Sequence, residues 1–431
     1  MKTNSFILIF VMAVSSVFAQ EKYNPTKENL SQREWFQNAK FGMFIHWGVY
    51  SMLGDGEWVL ERKKLKDSEY QHLAQAFYPH NYNPEKWVSM AKNAGCKYIC
   101  ITTRHHDGFS MFDSKISDYN IVKKTPYNKD AVRMLADECR KQGIKLFFYY
   151  SLLDWHRNDY FPRGASGNLT GRTESGDWNA YIKFMKDQLG ELLTNYGDVA
   201  GIWFDGHWDK PKADWQFESI YKHIHSFQPA CLVGNNHHLK IKEGEDFQMF
   251  EKDLPGKNTT GFSADAEIGN LPLETCETLN DNWGYKIDDL KYKTTKELIH
   301  YLVKAAGNNS NFLLNVGPMA DGTIPAKSVE SFNEIGKWFA QYGETIHGTR
   351  GGMVAPHDWG VTTQKDNKLF VHILNCQDKS LYLELPSSKK VQRAELFINK
   401  QAIKFIQDKE GVLLKLPSVP SEIDQVVTIQ F

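Results

Sequence analysis

Residues 199–206 read Val199-Ala200-Gly201-Ile202-Trp203-Phe204-Asp205-Gly206, six uncharged residues that stop abruptly on a carboxylate and a glycine. A strand without charge is one buried on both faces, as in a parallel sheet covered by helices. When such a strand closes on an acid, its C-terminal tip is the point that meets solvent and substrate, which is the arrangement of a parallel barrel. Asp205 alone also fits a helix N-cap, a position that favours Asp. Its company decides the matter, because other apolar runs in this chain also end on His, Tyr or Glu.

Outward from that stretch the same unit recurs. Residues 41–45 precede His46-Trp47-Gly48, 98–103 precede Arg104-His105-His106-Asp107-Gly108, and 144–149 precede Tyr150-Ser151. Residues 231–234 lead to Asn235-Asn236, 246–250 end on Glu251, and 311–316 end in Gly317-Pro318. An eighth strand falls at 273–279, although Glu274 and Glu277 interrupt it. Between strands, 84–94 carries Trp87, Val88, Met90 and Ala91 at helical spacing and stops at Gly95. Residues 131–142 and 179–196 repeat the pattern before Gly143 and Gly197. A glycine closing each helix just before a strand is what an αβ loop requires. Strands alternating with such helices imply a parallel sheet, and a (β/α)8-like barrel over residues 20–348 is the expected fold. A doubly wound open sheet is the alternative; against it, no strand is followed by a phosphate-cradling glycine pattern.

Beyond the helical pattern of 326–346 the period changes. Short alternating runs at 369–374, 381–385, 394–398, 412–416 and 426–431 are separated by polar turns, which predicts a C-terminal antiparallel β-sandwich over 349–431. A barrel of about 250 residues plus a small second domain suits a chain of 431.

Composition narrows the function. Lys and Arg total 51 against 52 Asp and Glu, so no net field draws in a nucleic acid or an anionic membrane. Aromatic residues reach 13% with 12 Trp, more than a core requires, and indole faces suit the C–H face of a sugar. Residues 1–19 have the charged start, apolar stretch and small-residue end of a cleaved signal peptide, so an exported protein, periplasmic or secreted, is expected. That stretch is too short for a membrane anchor, no Cys follows the cleavage point, and no later segment is long and apolar enough to insert. The six cysteines are scattered and are expected as buried small hydrophobes rather than as a disulfide framework or a zinc site.

His46, His105 and His106 stand at two strand ends, where adjacent histidines in a turn can reach different oxygens of one polyol. A metal-dependent barrel hydrolase is a rival, but it wants His-x-His on its first strand and this chain has His46-Trp47. Glycosidic cleavage instead needs two carboxyl groups. Asp205 is the best candidate for the first, with Trp203 two residues earlier on the same strand face. For the second, Glu251 takes precedence at a strand end, while Glu274 and Glu277 compete with it.

Read together, these blocks resemble the α-L-fucosidases of glycoside hydrolase family 29. They are Phe41-Gly42-Met43-Phe44-Ile45-His46-Trp47-Gly48, Gly56-Glu57-Trp58, His105-His106-Asp107-Gly108-Phe109, Tyr149-Tyr150-Ser151, Ile202-Trp203-Phe204-Asp205-Gly206, Asn282-Trp283-Gly284-Tyr285 and Asn311-Phe312-Leu313-Leu314-Asn315-Val316-Gly317-Pro318. The resemblance implies a barrel with a C-terminal sandwich, no metal or other cofactor, and a retaining reaction on fucosylated oligosaccharides or glycoconjugates. It implies Asp205 as nucleophile, and His46, Glu57, Trp58, His105, His106, Tyr150 and Trp203 as contacts to the sugar. The family's acid/base is irregular in sequence, so Glu251 is an extrapolation, with Glu274 as the alternative. A fucose-binding protein that has lost its catalytic pair is the competing class.

Overall fold

The computed structural model describes residues 23–173, 175–263 and 267–431; the expected leader, 1–19, lies outside them. Eight parallel strands form one sheet: β1 (Phe41–Ile45), β2 (Tyr98–Arg104), β3 (Lys145–Ser151), β4 (Gly201–Asp205), β5 (Leu232–Asn235), β6 (Gln248–Glu251), β7 (Leu273–Thr278) and β8 (Ser310–Val316). Their order, β5-β4-β3-β2-β1-β8-β7-β6, runs round a cylinder and leaves β5 and β6 as facing edges. The eighth strand expected at 273–279 is present as β7.

Crossover helices Pro84–Asn93, Ala131–Gln142, Trp178–Asn195, Phe217–Phe227 and Thr295–Gly307 join the strands, and Ala326–Tyr342 follows β8. Local chemistry starts them: Asn83 and Asp130 accept the Lys86 and Arg133 N–H groups, and Thr294 with Glu297 forms a capping box. Each such cap is worth about 1 kcal/mol. The described residues between β5 and β6, and between β6 and β7, form no helix, so the barrel is regular on one side and bounded by loops on the other.

Side chains alternate along each strand. One set, Phe44, Tyr98, Phe147, Tyr149, Trp203, Met249, Cys276 and Leu313 among them, fills the barrel; the other packs under the helices. The interior is crowded enough that Gly42 and Gly234 face aromatic rings directly. A methyl at either would sit 2.5 Å from the Tyr98 ring or 2.3 Å from that of Phe247. The N-terminal helix Lys27–Ala39 stops the lower end with Phe36, whose ring lies 5.4 Å from Tyr98, 5.5 Å from Phe147 and 4.9 Å from Phe247.

No ladder joins β5 to β6 among the described residues, and Asp246 staples that seam instead. Its N–H donates to the Val233 carbonyl at 2.7 Å, and its Oδ2 accepts the Val233 N–H at 2.8 Å. The same buried carboxylate takes the Arg33 guanidinium at 2.6 Å and His225 Nε2 at 2.9 Å.

The C-terminal region folds as two antiparallel sheets. β9 (Arg350–Gly351), β10 (Gly360–Lys365), β11 (Lys368–Ile373), β13 (Arg393–Leu396) and β16 (Gln425–Gln430) form one; β12 (Ser380–Glu384), β14 (Lys404–Gln407) and β15 (Gly411–Lys415) form the other. Five of these strands were expected. β9, β10 and β14 carry too little apolar alternation to be read from sequence: four of the six residues Gly-Val-Thr-Thr-Gln-Lys in β10 are polar, and β14 is never fully buried.

Candidate active site

The C-terminal ends of the strands open into a cavity of about 650 Å³. His46 follows β1, His105 and His106 follow β2, Trp203 and Asp205 lie on β4, and Glu251 ends β6; all six line it. Glu57 and Trp58 reach it from the loops after β1. Glu57 is buried, and its Oε2 accepts the Gly284 N–H at 2.7 Å.

Tyr150 does not reach the cavity. Register pairs Tyr149 with Trp203 and Ser151 with Asp205, so Tyr149 shares their inward phase. Tyr150 points outward, where its hydroxyl donates to Gln188 Oε1 at 2.8 Å and its ring lies under the Arg104 guanidinium. The residue in the site is Tyr149, whose hydroxyl donates to Asp205 Oδ2 at 2.9 Å and whose ring stacks between His105 and Trp203. Leu146-Phe147-Phe148-Tyr149-Tyr150 is apolar on both faces, so sequence alone does not set its phase.

Of the three competing acids only Glu251 meets Asp205. Asn236, just past β5, donates from its single Nδ2 to Asp205 Oδ1 at 3.3 Å and to Glu251 Oε2 at 2.8 Å. Those two oxygens are therefore at most about 6 Å apart, short of the roughly 6.5–9.5 Å spacing of carboxyls that admit a water between them. Both side chains keep a narrow opening to solvent, 14% for Asp205 and 19% for Glu251. Glu274 lies deeper in the barrel, where it accepts Trp203 Nε1–H at 2.9 Å and the Tyr98 hydroxyl. Glu277 is tied to Thr278 and faces Lys293 at 3.4 Å. Phe44, Trp208, Asn236, His238 and Trp283 also line the cavity and were not among the residues expected there.

A sequence model of the family described as alpha-L-fucosidase matches residues 10–344. The chain belongs to the α-L-fucosidase family. It is 27% identical over 450 residues to the tissue α-L-fucosidase of Rattus norvegicus, covering 96% of this chain and 93% of that one. Its fold is similar to that of α-L-fucosidase isoenzyme 1 from Paenibacillus thiaminolyticus, with a TM-score of 0.83, 33% identity, and 94% and 99% of the two chains covered. It is also similar, with a TM-score of 0.81, 25% identity, and 96% and 98% covered, to a Bacteroides thetaiotaomicron α-L-fucosidase. That structure is described as a trapped covalent intermediate with 2-fluoro-fucosyl fluoride.

The electrostatics of this fucosidase site separate its two carboxyls. Burial lifts the Glu251 carboxyl to about 7, the neighbouring charge of Asp205 adds to the rise, and the Asn236 donor opposes it. Burial raises Asp205 as well, but the Tyr149 hydroxyl, His238, the Gly206 N–H and Asn236 all favour its charged form. More neighbouring groups favour the charged form of Asp205 than that of Glu251. Burial also holds His46 and His106 down to about 3, and His105 well below its usual value, so all three rings are neutral.

Two of the tautomers follow from the network. Asn315 Nδ2 donates to the Trp283 carbonyl, so its Oδ1 accepts from His46 Nδ1–H at 2.7 Å. Ser151 Oγ donates to the Leu153 carbonyl and so accepts from His106 Nδ1–H at 2.7 Å. Each ring is left with an unprotonated Nε2, and that of His106 lies 3.6 Å from Asp205 Oδ2. These rings are acceptors for hydroxyl protons, which suits a polyol.

Proposed function

We propose that this chain is an exo-acting, retaining α-L-fucosidase that releases terminal fucose from oligosaccharides or glycoconjugates. The observation that carries the reading is the Asn236 amide spanning Asp205 and Glu251. A retaining pair works at about 5 to 5.5 Å, with one carboxylate ionised and one carboxyl protonated. Asp205 attacks the anomeric carbon while the glycosidic C–O bond breaks and the departing oxygen takes the Glu251 proton. The Glu251 carboxylate then removes a proton from water, whose oxygen attacks the same carbon and releases Asp205. Two inversions leave the product with the substrate's configuration.

The sugar's other features find matching surfaces. His46 and His106 offer acceptors to its hydroxyls, and Glu57 adds a carboxyl. The Phe44 ring lies 5.1 Å from that of Trp203 and 5.9 Å from that of Trp283, an apolar corner suited to the methyl of a 6-deoxy sugar. The barrel below is filled, so a terminal residue enters and a chain does not thread through.

The deciding experiment follows hydrolysis of an aryl α-L-fucoside by NMR. The first product is expected to be the α-anomer; β-fucose appearing first would overturn the mechanism. Asp205→Asn is expected to lose about a thousandfold or more in kcat with the fold intact. Glu251→Ala is expected to be rescued by azide and to suffer most with poor leaving groups; equal loss on good and poor ones would remove Glu251 as the acid.

A further inference from the structure

The acid fixes where the leaving group must lie. Because Glu251 protonates the departing oxygen, the group attached to that oxygen occupies the Glu251 side of the cavity. On that side stands His238, with Nε2 3.7 Å from Glu251 Oε2. Phe262 stacks on the His238 ring at 5.6 Å and 30° between planes, and both line the cavity.

Phe262 differs from the aromatic residues deeper in the site. Phe44, Tyr149 and Trp203 are buried at 3% exposure or less, whereas Phe262 is 47% exposed. Its ring stacks on the imidazole and stays about half exposed where it lines the cavity. The backbone beneath is held in an unusual state, since His238 has φ +59, a left-handed conformation uncommon for a residue with a side chain. A Phe ring has no donor or acceptor, so it reads the C–H face of a pyranose and not its hydroxyls. Arg62 and Asn282, joined at 3.2 Å, line the same cavity and carry hydrogen-bonding groups.

We propose that Phe262, backed by His238, is an acceptor-side platform that takes the C–H face of the hexopyranose to which fucose is attached. The proposal rests on the fucosidase reading and adds to it Phe262 as the residue that determines specificity toward the leaving sugar.

The test compares kcat/KM for fucosyl disaccharides, linked to galactose or N-acetylglucosamine, with that for α-L-fucosyl fluoride, whose leaving group is too small to touch the platform. In Phe262→Ala the disaccharide-to-fluoride ratio is expected to fall about tenfold, and Phe262→Trp is expected to restore it. A ratio within about twofold of the parent's, or a Trp variant no better than Ala, would overturn the platform. A parent protein inert toward the fluoride would remove the fucosidase reading itself, so the two failures are distinguishable.

Discussion

At the scale of single residues, the site is a problem of where one proton sits. Glu251 is lifted to about 7 by burial and by the charge of Asp205, so it carries its proton below neutrality and loses it above. The first chemical step needs the protonated form, so kcat/KM for a disaccharide should fall as pH rises through about 7, roughly tenfold per unit beyond it. The histidines do not produce this limb, since His46 and His106 charge only near 3. A pH profile with fucosyl fluoride, which needs little acid assistance, should lack the limb near 7, and an identical limb for both substrates would assign it elsewhere. Asn236 donates to both carboxyls and lowers each, so Asn236→Ala should move both limbs of the profile upward. Most of this constellation was legible in the sequence because His46, His105, His106, Asp205 and Glu251 are polar residues at the ends of apolar runs. Tyr149 was not, because its neighbours are apolar on both faces; nor was Asn236, whose task is visible only once β4 and β6 are brought together.

At the scale of elements, the barrel is least regular where β5 meets β6, and a side chain does there what a ladder does elsewhere. Asp246 is fully buried, and removing its carboxylate would strand the Val233 N–H, the Arg33 guanidinium and His225 at once. Breaking a buried charged pair by deleting one partner costs about 3–5 kcal/mol. Asp246→Ala is therefore expected to lower the thermal midpoint by several degrees and to reduce activity, since β5 and β6 carry Asn236 and Glu251 on their ends. An unchanged midpoint in calorimetry would show that the seam is held by something else. The barrel strands other than β7 were legible in the sequence because each is nearly free of charge. Sequence reading was least secure for β7, and the reason is physical: Glu274 faces the barrel interior, where Tyr98 and Trp203 satisfy it, so a buried strand carries a carboxyl. In the sandwich, β10 and β14 escaped because their residues are polar enough to read as loop.

At the scale of the molecule, barrel and sandwich share a core. Val361, Phe370, Phe397 and Val426 of the sandwich belong to the same apolar cluster as the barrel's outer layer, and the Phe397 ring stacks on Tyr342 at 6.0 Å. The joint is close: a methyl on Gly307, at the end of helix Thr295–Gly307, would lie 2.5 Å from Val361. Polar ties reinforce it, with the Thr363 hydroxyl donating to the Thr345 carbonyl at 2.6 Å and His300 Nε2 meeting the Ile423 carbonyl at 2.7 Å. Two bodies with so continuous a core should unfold together, so calorimetry of the intact chain is expected to give one transition, with fucosidase activity lost across it. Two separated transitions in the parent protein would overturn this. Gly307→Val drives a branched side chain into Val361, and overpacking of this kind costs about 1–3 kcal/mol. The same helix leads into β8, whose Asn315 sets the tautomer of His46. The variant should therefore unfold earlier and also show a raised KM, because a wedge between the domains is passed along β8 to the ring that faces the sugar.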